Sequence, residues 1–148
     1  MFSGSLVLLI AGSLLASDVS KDDAVKKDLQ LLQGEWIMVS SERDGEKVPE
    51  ERIKTFKRTV TGNKFTVTWE GEDGAHTVSG VMTIDPTQKP KTVDVLFTEG
   101  PSKDKTFQAI YKVEGDTFTI CLGKPDEGRP PDFDSKHGSL NVWKRAKK

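Results

Sequence analysis

Leu32-Gln33-Gly34-Glu35-Trp36 near the start of the chain and Val142-Trp143-Lys144-Arg145 near its end decide the fold between them. A Gly-x-Trp opens the first strand-like run, and a basic pair closes the last one. Matched signatures on the first and last strands are what a sheet closed on itself needs. In such a barrel the indole plugs one end and a terminal cation covers its ring, a contact worth roughly 0.5–2 kcal/mol. Trp36, with Lys144 or Arg145, is therefore the expected closure.

Outward from these ends, the chain reads as eight strand-like runs: 35–42, 57–61, 64–70, 76–84, 92–98, 106–113, 117–122 and 139–145. Most links are short and polar, such as Gly62-Asn63 and Glu114-Gly115-Asp116; the exception runs from Gly123 to His137. Short links make successive strands antiparallel neighbours, hence a meander. No helical run separates the strands, which excludes a parallel α/β sheet. Asp44-Gly45 is a hairpin signal. Pro49, followed by Glu50 and Glu51, marks the first position of a short helix placed to lid the mouth opposite Trp36.

Period-two alternation identifies an inner face. Phe65, Val67 and Trp69 fall on it, as do Val93, Val95 and Phe97; Phe107, Ala109 and Tyr111; and Phe118, Ile120 and Leu122. The candidate lining of the lumen is Phe65, Trp69, Phe97, Phe107, Tyr111 and Phe118. No strand reads as carrying an inward charge, consistent with a closed sheet that has no edge to guard. The first and last strands are apolar on both faces, with Ile37 and Val39 beside Trp36, and Leu140 and Val142 beside Trp143. A helix on their outer side would account for that. Gly80 inside its strand marks a bulge or sharp bend. Tyr111, the only tyrosine, needs a partner for its buried hydroxyl.

The N-terminus is a separate object. Residues 6–17 are apolar or small throughout and stop at Asp18. The run is too short to span a bilayer, which takes roughly 20 apolar residues. It reads as a secretory signal peptide over residues 1–17, although the first five residues lack Lys and Arg. The mature domain is then 18–148, exported to the periplasm or beyond, with no integral membrane segment after cleavage. The competing reading is a buried N-terminal helix. Ser20 and the acids after it read as a helix start, with Val25, Leu29 and Leu32 on one face. That helix is expected to cross one mouth of the barrel.

Leu32-Gln33-Gly34-Glu35-Trp36, Asp44-Gly45 and Pro49 together resemble the start of an uncharacterised lipocalin-like domain abundant in planctomycete bacteria. Thr83-Ile84-Asp85-Pro86, Lys89-Pro90-Lys91, Gly115-Asp116-Thr117, Arg129-Pro130 and Phe133 continue the resemblance, which covers about residues 28–145. It implies an export signal and a calycin-type barrel, and it implies no activity. The expected fold is thus all-β: an eight-stranded antiparallel up-and-down lipocalin-like barrel with a short N-terminal helix.

The inventory of chemistry is thin. The net charge is -1, with charged residues interspersed, so nothing favours nucleic acid or an anionic membrane surface. The two histidines, His76 and His137, are far apart, and no HExxH, paired cysteines or calcium loop occurs. No metal or cofactor is expected. Asp132, Asp134 and His137 form a polar loop with weak cation potential. Ser135, His137 and Ser139 lie close together without a Gly-x-Ser-x-Gly elbow. Cys121 is the only cysteine, so it forms no intramolecular disulfide and reads as a small residue packed on a sheet face. The expected function is a secreted or periplasmic, non-enzymatic barrel that binds a small apolar ligand or a protein partner at its open mouth. The alternative is a solid-core structural or interaction module acting through its loops, above all Gly123 to His137. Interior volume separates them: about 300 Å³ or more favours a ligand.

Overall fold

The eight alternating runs pair in chain order into one antiparallel sheet, and the sheet closes. The structure, a computed structural model, describes residues 12–147. Its elements are α1 (Gly12–Leu32), β1 (Gly34–Arg43), β2 (Glu46–Lys47), α2 (Glu50–Ile53), β3 (Lys57–Thr61), β4 (Lys64–Gly71), β5 (Gly74–Asp85), β6 (Lys91–Glu99), β7 (Thr106–Glu114), β8 (Thr117–Gly123) and β9 (Gly138–Arg145). The strand order is β2-β1-β3-β4-β5-β6-β7-β8-β9, and β1 also pairs with β9. Eight strands therefore make an up-and-down barrel, and β2 is a spur on β1. That spur was not expected from sequence; it is the return arm of the Asp44-Gly45 hairpin. Both turn residues have positive φ (53° and 81°), the backbone that Asp-Gly accommodates in a type I′ turn.

The register sorts the two faces. Trp36 opposes Arg145 and Met38 opposes Trp143 across the closing seam. Val95 opposes Phe107, Val93 opposes Ala109, and Tyr111 opposes Ile120. Most of these inward residues belong to one buried cluster. In β1 Val39 faces outward by plain alternation, 44% exposed, and a register shift between Met38 and Ser40 then brings Ser41 inside. Ile37 and Val39 are thus the outer face of β1, and Val39 is exposed there rather than covered by the expected helix. Leu140 of β9 faces outward toward loop residues 132–136. Gly80 sits at the expected irregularity, where β5 shifts register against β6. A Cβ there would lie 2.7 Å from the Phe65 ring and 2.6 Å from the Leu96 carbonyl oxygen, so only glycine fits beneath that ring.

α1 crosses one end, as expected, with Val25 and Leu29 against the core and Leu32 only 1% exposed. It begins at Gly12, so Ser20 is an interior helical residue and not its cap. Of the expected leader, residues 1–11 lie outside the described residues, and residues 12–17 continue the α1 backbone. Trp36 has no exposed surface and donates from Nε1 to the Leu32 carbonyl at 2.9 Å. The Arg145 guanidinium stands 4.3 Å from the Trp36 ring centroid. It also donates to the Gln33 and Leu31 carbonyls at 2.7 and 2.6 Å. Those carbonyls lie at the C-terminal end of α1, where acceptors lack intrahelical partners and positive charge is favoured. Arg145 is therefore the closure residue; Lys144, one position out of phase, is exposed.

α1 is fastened at two further points. The Gln33 side chain brackets Gly62, donating to its carbonyl and accepting from its amide, each at 2.8 Å. Asp28, 4% exposed, accepts from the Tyr111 hydroxyl at 2.7 Å and from Lys91 Nζ at 2.9 Å. Burial, and then the bond to Asp28, push the Tyr111 phenol well above its ordinary pKa. Tyr111→Phe is expected to lower stability by about 1–3 kcal/mol, because the buried carboxylate loses a donor. Equilibrium denaturation measures this; a midpoint equal to that of the wild type refutes the bond's structural role.

Candidate functional site

The strand directions place the Gly62, Pro86–Pro90 and Gly115 turns with α1 at the closed end. The hairpin at Asp44, α2, the 72–73 turn and the two longer loops ring the other end. The lumen differs between the two halves. Toward α1 it is filled: Trp36, Tyr111, Phe118 and Val93 are each under 2% exposed or close to it. Toward the open end lies a cavity of about 220 Å³.

The cavity wall is mostly apolar. Phe65, Trp69 and Phe97, three of the six expected lining residues, contribute to it together with Val67, Val78 and Val95. Phe97 packs edge-on against both Phe65 and Phe107, with centroids 5.9 and 5.4 Å apart. Phe107 itself lies in a wider outer vestibule of about 610 Å³. Arg43, Phe97, Leu122 and Ser139 border both spaces and form the neck between them. Tyr111 and Phe118 do not line the cavity. Tyr111 is held at the closed end by Asp28, and Phe118 is packed against Trp36 at 5.8 Å. Alternation tells which face a residue is on, not at which height along the lumen the packing stops.

At the rim, Trp69 is sandwiched between Phe56, at 4.9 Å, and His76, at 5.3 Å, both nearly parallel to it. Phe56 follows α2, whose Ile53 is 4% exposed, so this segment covers part of the open end as expected. Pro49 stands one position earlier than expected, at the helix cap.

The main residue missed from sequence is Arg58. It points inward from β3, is 5% exposed, and lines the cavity. Its guanidinium stacks over Phe65, Phe118 and Trp143 at 4.4, 5.2 and 5.8 Å from the ring centroids. This overturns the reading that no strand carries an inward charge. A signal for it was present: Arg58 is two residues before Val60, and β3 buries those two alternate positions. Polar atoms are few elsewhere in the wall. Ser41 Oγ donates to Asn141 Oδ1 at 2.7 Å, so that pair is internally satisfied.

The loop from Gly123 to His137 borders the vestibule with Gly123, Lys124 and Pro125, and then runs along the outside of the barrel. Arg129 reaches the outer face of the sheet, donating to the Ala109 carbonyl at 2.8 Å and to Asp94 at 2.7 Å. Pro130 and Ser135 are buried. Ile110 and Cys121, on the outer face of β7 and β8, are 1% and 0% exposed. Cys121 donates to the Asp134 carbonyl at 3.8 Å, and burial pushes its thiol up to about 11, so it stays protonated at neutral pH. Ser135 Oγ accepts from the Gly45 amide at 3.0 Å. His137 pairs with Asp132 at 2.9 Å on the surface. Among the described residues, no hydrogen bond links Ser135 Oγ to His137, and no group of three or more His, Cys, Asp or Glu side chains is placed to hold a metal ion. No described helix is long and apolar enough to cross a membrane.

Fold and site together define a class: a lipocalin-like antiparallel barrel, plugged at one end by α1 and Trp36, with a cavity reached from the other. Among solved structures, the chain is similar to a lipocalin-like protein from Bacteroides uniformis ATCC 8492, with 11% identity, a TM-score of 0.49, and coverage of 78% of this chain and 99% of that one. It is also similar to an uncharacterized protein from Bacteroides eggerthii DSM 20697, with 11% identity, a TM-score of 0.46, and coverage of 77% and 98%. No protein-family model and no curated protein matches the sequence.

Proposed function

We propose that this protein is a non-enzymatic binder that holds a small, mainly apolar ligand in the open half of its barrel. The observation that carries this reading is the mostly apolar cavity of about 220 Å³, which shares Arg43, Phe97, Leu122 and Ser139 with the adjoining vestibule of about 610 Å³. The inner space alone is below the roughly 300–1,000 Å³ of pockets for drug-sized ligands. It equals about seven waters at roughly 30 Å³ each. A small molecule fits inside it, or the inner part of a longer one whose remainder occupies the vestibule. Residues 1–17 are read as a leader, so the barrel works in the periplasm or outside the cell. On this reading the chain belongs with the planctomycete lipocalin-like domains that its sequence resembles.

One variant tests the binding. The neutral fluorophore N-phenyl-naphthylamine is expected to bind wild-type protein, and Leu122→Trp is expected to weaken it about tenfold or more by filling the neck. The melting temperature of that variant should stay near the wild-type value, because Leu122 borders space. Native mass spectrometry of protein purified from its source should show a chain beginning near Asp18 with a bound small molecule. A bare chain that also fails to take up the fluorophore refutes the proposal.

A further inference from the structure

We infer that the cavity selects carboxylic acids with an apolar body, the carboxylate held by Arg58 in the middle of the lumen and the body directed toward the neck. This inference rests on the ligand-binding reading and adds the chemical class.

The argument begins with where the charge sits. Arg58 starts on β3, yet its guanidinium reaches rings on β4, β8 and β9, so it spans the lumen between the packed half and the cavity. Aromatic faces stabilise a cation but supply no lone pair in its plane. Among the described residues, the guanidinium's one hydrogen bond goes from Nη2 to the thioether sulfur of Met82 at 3.2 Å, a weak acceptor. Arg58 Nε has no partner among the described residues, and neither does Trp143 Nε1 in the same wall. No carboxylate among the described residues pairs with Arg58.

A buried, uncompensated cation is costly, and proteins normally pair it. Burial lowers the Arg58 pKa to about 9, which leaves it cationic at neutral pH. The inner cavity therefore offers one buried positive charge and unused N–H donors in a mostly apolar wall, while a second, exposed cation, Arg43, stands at its outer border. A carboxylate matches this set: one negative charge, acceptor lone pairs on two oxygens, and a planar shape that a guanidinium binds in fork geometry. A neutral apolar molecule leaves the charge and the donors unmatched. An amine adds a like charge. A head group that is itself dianionic carries one charge more than Arg58 neutralises. Beyond Arg58 the wall is mostly valine, isoleucine and aromatic carbon, with Asn141, Ser139 and Arg43 as its polar members, which suits a largely hydrocarbon body.

Octanoate and 1-octanol share a chain and differ in charge, so calorimetric titration of each into the full chain isolates the head group. Wild-type protein is expected to bind octanoate about tenfold or more tighter than octanol. Arg58→Met should abolish that preference while octanol affinity stays within about twofold. Arg58→Lys, which keeps the charge but not the fork, should fall between them. Equal wild-type affinities for the two probes overturn the carboxylate assignment and leave the cavity reading standing. Binding of neither probe overturns both. The wild-type comparison holds whether or not either variant folds.

Discussion

Trp36→Ala should lose about 3–5 kcal/mol of stability, the range for truncating a buried aromatic side chain. That is a large fraction of the roughly 5–15 kcal/mol that holds a typical domain together. The effect is large because one side chain serves three contacts. Its ring packs 5.8 Å from Phe118 in the filled half of the lumen. Its Nε1 ties β1 to the last turn of α1 through the Leu32 carbonyl. Its other side is covered by Arg145. Alanine leaves a void where the packing is densest, and surrounding β-structure cannot collapse into it without breaking the ladder. Guanidinium denaturation reads the loss as a lower midpoint. A midpoint unchanged within error shows that the indole is not the plug.

Arg145→Ala should cost about 2–3 kcal/mol, combining a cation–π contact with charge-assisted bonds to two carbonyls. The bridge to Asp116 adds little, since that carboxylate is 79% exposed. The neighbouring Lys144→Ala should change stability by no more than about 0.5 kcal/mol, as exposed substitutions usually do. Arg145→Lys should recover only part of the loss, because an ammonium cannot fork to the Leu31 and Gln33 carbonyls while lying flat on the indole. Combined with Trp36→Ala in a double-mutant cycle, the two losses should be less than additive. Strict additivity, or equal effects at positions 144 and 145, rules out the clamp.

These two residues also show why the barrel is legible in the sequence. Closure depends on what stands at the two ends of the meander, and both ends carry their chemistry in short sequence. The eight strands were legible for a similar reason. Alternation such as Phe65-Thr66-Val67-Thr68-Trp69 reports a sheet with one dry face, whatever its neighbours are. Turn residues such as Asp44-Gly45 and Gly62-Asn63 set the links from local backbone preference alone.

The candidate site was legible only in part. Phe65, Trp69 and Phe97 surround the cavity, and Phe107 stands in its vestibule. Tyr111 and Phe118 share the same face, yet lie in the packed half. Period two carries no information about depth along the barrel. Depth is set by α1, which fills one end and holds Tyr111 through Asp28, 83 residues away in the chain. The loop from Gly123 to His137 was legible as a long Pro-containing segment, but not where it runs. It lies along its own barrel, because Arg129 finds acceptors on β6 and β7 and its Pro130 is buried.

Sequence by itself determined the eight-strand order, the inward face and the Trp36 closure, because each follows from local periodicity, turn chemistry or a terminal motif. Tertiary structure alone decided where the lumen is hollow and that Arg58 stands in it. Both depend on side chains from β3, β4, β5, β8 and β9 meeting across a closed lumen. Such contacts are created by closure, and no window of sequence contains them.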